Sequence, residues 1–296
     1  VESKDYCFDP ESEEIPKELV AHDVMVYRDL PLQQPKWILE RLIKEKTINF
    51  ISAQKGTGKS ELAIGLMWSI SKGLPFLNYK TNGGYCYPCT WIDGEMDPYD
   101  SIDRTTPYLE TFGHPPKDYF QIINFALQKN QNIPDIKDEV GQNLILQHLK
   151  KQEEQTGKKP LVCLDNLRSL SNYKENDSDG FRPIGLFLRN LRGLGYTVLV
   201  IDHSGKDANA GLRGTSSKTD WANVVLLLKP EGPKGQKFMK IKVIFDKARG
   251  LRPDETADFV CQYDFKGNWK LGTSDKELGE EIFIDRIKGV LKKAPE

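Results

Sequence analysis

The sequence predicts an α/β fold: a mostly parallel sheet flanked by helices, with an antiparallel strand extension near the C-terminus. Three observations predict it. Short apolar runs alternate with amphipathic stretches along most of the chain, the pattern of strand–helix units. Residues 47–68, TINFISAQKGTGKSELAIGLMW, read as buried strand, glycine loop and helix. Acidic residues then recur at the C-terminal ends of later apolar runs, where open α/β sheets gather their ligands.

Length and charge narrow the class. A chain of 296 residues can bury a large core, and one big domain with appendages fits better than two equal ones. Lys and Arg total 42 against 43 Asp and Glu, for a net charge of −1, so there is no global basic field. Any nucleic-acid contact must come from a local patch or from repetition in an oligomer. Five cysteines, an odd count with no signal peptide, point to free thiols in a reducing, cytoplasmic setting. No apolar run approaches the ~20 residues of a membrane span. The chain opens on Val, which leaves room for an upstream segment.

Taken in order, residues 1–35 form an acidic, proline-bearing arm or linker in which 22–27 (HDVMVY) read as a strand. Residues 37–43 (WILERLI) have helical spacing. The core spans 36–272. It opens with the 48–51 strand and the 61–71 helix, followed by a loop or short hairpin at 73–84. Residues 85–92 read as a strand holding Cys86 and Cys89, a C-x-x-C better explained by packed thiols than by a redox or zinc site. A helix over 97–112, opened by Asp97-Pro98, precedes a strand at 119–125 and a helix at 139–155. LVCLD (161–165) is a strand closed by an acid. A polar loop at 172–180 leads to a helix at 181–194, a strand at 196–201 and a small-residue loop at 204–217. Strands at 224–228, 238–245 and 259–271 follow, the last broken by a turn at 266–268. Residues 273–296 carry an amphipathic helix over 277–293.

The glycine loop is a phosphate cradle. Backbone N–H groups at a helix N-terminus are well suited to a triphosphate, and glycines let them approach closely. Ala53, Gln54, Lys55, Gly56, Thr57, Gly58, Lys59, Ser60 and Glu61 are the ATP-binding candidates. Lys59 reaches the β/γ-phosphates and the Ser60 hydroxyl ligates Mg²⁺. Ala53 replaces the usual first glycine, a change expected to be tolerated because it falls where the strand ends. Hydrolysis also needs an acid for the metal, an acid for the proton of the attacking water, and a polar sensor of the γ-phosphate. Asp165, Glu95 and His203 fill those roles in that order. Glu95 with Asp165 argues against a non-catalytic nucleotide binder, and no lid-like arginine cluster suggests a kinase.

Several strings resemble a known family. WIDGEMDPYD (91–100) is similar to the RecA-type strand ending in the catalytic glutamate, and LVCLDNL (161–167) to its Walker-B strand. IDHSGKDANAGLRGTSSKTDWANVV (201–225) and the lead-in KWILERLIKEKTINFISA (36–53) resemble the RepA-like, AAA_25-type branch of the hexameric replicative helicases, more distantly DnaB. FDKARG (245–250) looks like a Lys-x-Arg finger. The resemblance, covering about residues 36–250, implies a ring, plausibly a hexamer, with ATP between subunits. Lys247 and Arg249 would enter the neighbour's site, with Arg213 a competing finger. Lys206, Lys218 and Arg213 would touch phosphates of single-stranded DNA in the channel. The 172–180 loop departs from this, with Glu175, Asp177 and Asp179 against Lys174. The main rival is a RecA-fold ATPase acting in recombination, signalling or protein remodelling without unwinding.

Overall fold

The computed structural model describes residues 20–129, 135–172, 178–203, 217–232 and 237–272. Its elements run α1 (Val24–Arg28), β1 (Trp37–Leu39), β2 (Ile43–Lys44), β3 (Ile48–Ala53), α2 (Lys59–Lys72), β4 (Cys89–Asp93), α3 (Pro98–Phe112), β5 (Phe120–Asn124), α4 (Glu139–Thr156), β6 (Leu161–Asp165), α5 (Leu167–Leu170), α6 (Ser178–Gly193), β7 (Thr197–His203), α7 (Ser217–Trp221), β8 (Val224–Pro230), β9 (Met239–Ala248), β10 (Phe259–Tyr263) and β11 (Trp269–Gly272). Nine strands form one sheet in the order β11-β10-β9-β8-β3-β7-β6-β4-β5. From β8 to β5 all neighbours are parallel, and β9, β10 and β11 extend the sheet antiparallel. The expected fold class holds.

The six residues of β3 are all buried, as a central parallel strand covered on both faces should be. Alternation along each strand then sorts side chains into two cores. Ile51, Trp91, Cys163, Leu199 and Ile201 meet α2 and α3 on one face. Phe50, Ile92, Val162, Leu164, Val198 and Val200 meet α4, α6 and Ala222, just past α7, on the other. The same alternation positions the site. Two residues beyond Trp91, Cys163 and Ile201 come Asp93, Asp165 and His203, so all three fall on the α2 side.

Three local expectations were overturned. Residues 22–27 are not a strand: the Asp23 side chain accepts the Met25 N–H and caps a single turn, α1. Residues 37–43 are not a helix but the paired strands β1 and β2. Arg41 between them has φ 65°, and its guanidinium is held by the Glu255 carbonyl and the Tyr79 hydroxyl. The strand expected at 85–92 begins only at Cys89. Cys89 is buried there, which pushes its thiol well above the usual range, and Cys86 precedes the strand. Among the described residues no acid, His and Cys cluster could hold a metal, and no helix is long and apolar enough to cross a membrane. The helix expected at 277–293, with Lys206, Arg213 and Lys174, lies outside the described residues.

Candidate active site

Helix α2 begins where β3 ends, and the turn between them is the glycine loop. Gly58 at the helix N-cap has φ 94°, open to glycine at little cost. A Cβ there would also come within 2.5 Å of the Met239 sulfur on β9, so the end of that side chain would have to move. Ala53 is the last residue of β3 with its methyl in the core, which accounts for an alanine in place of the usual glycine.

Register carries the other groups to the same edge. Ala53 pairs with His203, and Asp93 with Asp165. A cavity of about 440 Å³ opens there, lined by Lys59, Ser60, Glu95, Asp165 and His203 among others. Lys59 Nζ lies 3.2 Å from the Ala53 and Gln54 carbonyl oxygens and 3.3 Å from His203 Nδ1. Burial pulls its ammonium below the ordinary lysine value, while Asp165, Glu95 and Asp202 push the other way. The Ser60 hydroxyl donates to Asp165 Oδ2 at 2.8 Å. Burial raises Asp165 to about 7, the Ser60 hydrogen bond opposes this, and Asp93 and Glu95 add to it.

Glu95 follows β4 through a turn held by Asp93. One Asp93 oxygen accepts the N–H groups of Glu95 and Met96, and the other accepts the Ser101 hydroxyl and the Asn124 amide. The Asn166 side-chain amide donates to Glu95 Oε2, while its carbonyl oxygen accepts the Ser169 N–H and hydroxyl. Sequence reading missed Asp93, Asn166 and Arg104. Asp93 and Asn166 stand next to singled-out acids, and the signal available was that adjacency. Arg104 lies on α3, about two turns past Asp97, lines the cavity, and is 3.5 Å from Glu61. Burial raises the Glu61 carboxyl, and Arg104 opposes it.

Two expected groups sit elsewhere. Lys218, read as a contact for DNA phosphates, is 1 % exposed and ion-paired to Asp202 at 2.6 Å. An ammonium so buried and paired is not offered to a nucleic-acid backbone. Lys247 and Arg249 lie where β9 ends, beside the start of β8: Lys247 pairs with Val225, and the Arg249 N–H donates to the Asn223 carbonyl. Arg249 thus lies at the sheet edge opposite the glycine loop, level with Ile48 and about 17 Å along β3 from Ala53, while Lys247 is level with Phe50, about 10 Å along it.

The donor set fits a magnesium nucleotide. A hydroxyl and a carboxylate already in contact are hard oxygen ligands, and Mg²⁺ takes few protein ligands, completing its shell with phosphate and water. Loop amides, a buried lysine and a hydroxyl–carboxylate pair at the carboxyl edge of a parallel sheet fit a P-loop ATPase of the RecA type. The family model of the AAA domain AAA_25 matches residues 11–209, and the chain belongs to that family. It is also similar in fold to the crystal structure of a KaiC-like protein from the hyperthermophilic archaeon Pyrococcus horikoshii OT3, with a TM-score of 0.54 and 14 % identity, over 80 % of this chain and 94 % of that one. No curated protein matches the chain.

Proposed function

We propose that this ATPase assembles as a ring, plausibly a hexamer, and couples Mg²⁺-dependent hydrolysis to movement along single-stranded DNA and duplex unwinding. Lys59 holds the β/γ-phosphates, with Ser60 and Asp165 as the metal's protein ligands. Bound Mg²⁺ supplies charge neutralisation on the phosphoryl oxygens. Glu95, fixed by Asn166, takes the proton of the attacking water. His203 reads the γ-phosphate. The supporting observation is the position of Lys247 and Arg249. Arg249 lies ~17 Å along the sheet from its own glycine loop and the Lys247 ammonium is turned to the Thr219 carbonyl, so a finger role for the pair is read at an adjacent subunit's site. Lys206 and Arg213 remain the DNA candidates of the 204–217 loop, with Arg213 also a possible finger, and the free thiols fit a cytoplasmic setting.

The burial of Lys218 favours one second reading, a ring ATPase that works in recombination, signalling or protein remodelling without unwinding. Turnover measured with and without single-stranded DNA separates the two, alongside the solution mass with Mg²⁺ and nucleotide. Several-fold stimulation with an oligomeric mass supports the helicase. Indifference to DNA in an intact oligomer supports the rival, and a monomer that turns over at full rate overturns the ring.

A further inference from the structure

We infer that Lys218 is a positioning residue that ties His203 of one subunit to that subunit's own Lys247 and Arg249 through α7. The inference rests on the reading of those two cations as fingers for a neighbour. Strand alternation sends the last residues of β7 to opposite faces. His203 turns toward α2, with Nδ1 3.3 Å from Lys59 Nζ. Asp202 turns toward α7, where Oδ2 accepts Lys218 Nζ at 2.6 Å and Oδ1 accepts the His203 N–H at 2.9 Å. One carboxylate therefore grips both the sensor's backbone and the first turn of α7.

The same short segment also grips the finger strand, from Thr219 to Asn223. The Thr219 carbonyl accepts Lys247 Nζ. The Asn223 carbonyl accepts the Arg249 N–H at 2.8 Å, and Asn223 exchanges two further bonds with Ile48 at 2.7 and 3.0 Å. Between these ends Trp221 packs against Gly185 of α6. Residues 218–223 thus form a strut from the nucleotide edge of the sheet to the opposite edge, held at both ends. An apolar pair would fill the space at no greater cost than a buried ion pair. An apolar pair could not take the His203 N–H, whereas the two Asp202 oxygens give His203 and, through Lys218, α7 a shared, directional anchor.

The test uses Asp202→Asn/Lys218→Met, which removes both charges and leaves no unpaired ion. At a melting temperature near wild type, KM for Mg·ATP should hold and kcat should fall by about 100-fold, the scale of a small misplacement at a reacting centre. Unchanged kcat overturns the His203 half. Should the double variant not fold, Lys218→Met alone carries the same comparison, with the same outcomes, because burial already raises the Asp202 carboxyl and lets it take a proton.

The finger half is read by mixing. Lys59→Ala subunits, silent at their own site, should restore turnover to Arg249→Ala subunits by lending a finger. Lys59→Ala combined with Asp202→Asn/Lys218→Met (or with Lys218→Met alone) should restore several-fold less. Equal rescue by both donors overturns this inference and leaves the neighbour-finger reading standing. No rescue by either donor overturns both.

Discussion

Burial makes Asp165 a weak acid in the site without nucleotide. Its carboxyl is raised from an ordinary 3.8 to about 7, chiefly by burial. The folded state therefore binds this proton more tightly than the unfolded chain does. Stability from that proton is complete below about pH 4 and is lost as pH climbs through about 7. At roughly 1.4 kcal/mol per unit the loss is a few kcal/mol. Without nucleotide, Asp165→Asn should thus be more stable than wild type at pH 8 and lack the decline between pH 5 and 8. Urea unfolding at the two pH values checks this, and a variant less stable at pH 8 contradicts it. Asn166 poses a different question, because it touches Glu95 and no phosphate role is assigned to it. Asn166→Ala should leave KM for Mg·ATP near wild type and lower kcat by about tenfold, since a loosely held base loses part of its contribution. Steady-state kinetics decide, and a raised KM with normal kcat would place Asn166 in nucleotide binding.

At the scale of elements, α6 offers a matched pair of glycines. A Cβ at Gly185 would come within 2.5 Å of the Trp221 ring, whereas one at Gly193 meets nothing within 4 Å. Gly185→Ala should destabilise by about 1–3 kcal/mol through overpacking. Gly193→Ala should be neutral or stabilising by up to about 1 kcal/mol, because it only restricts the unfolded chain. Denaturant midpoints report both, and equal effects would mean that α7 does not bear on α6. The sequence made the parallel strands and their terminal acids legible, because a buried strand and the residue after it are neighbours in the chain. Glu95, Asp165 and His203 were found that way. What tertiary contact decides was not legible. Nothing local marks Lys218 as buried, since its counter-ion is 16 positions away. Arg41 breaks an apparently helical pattern only because Tyr79 and the Glu255 carbonyl hold it in a left-handed turn. Asn166 and Asp93 carry no local sign of the hydrogen bonds that hold Glu95 and its turn.

For the whole molecule, sheet topology makes one subunit an incomplete enzyme if Lys247 and Arg249 are fingers. Arg249 is exposed at the edge far from its own loop, so its loss should leave nucleotide affinity intact while turnover drops by about 10³-fold or more. Lys59→Ala should abolish turnover at an unchanged melting temperature, since its ammonium serves the cavity rather than the core. The two defects then lie on different sides of a head-to-tail contact. In an equal mixture a working interface needs an Arg249→Ala subunit supplying the site and a Lys59→Ala subunit supplying the finger. Random assembly produces that order at about one interface in four, so the mixture should recover up to about a quarter of the wild-type rate, while each variant alone stays silent. Turnover at fixed total protein, titrated against the mixing ratio, should peak at equal parts. A flat titration would deny Arg249 a finger role, and with it the case for a closed ring would go.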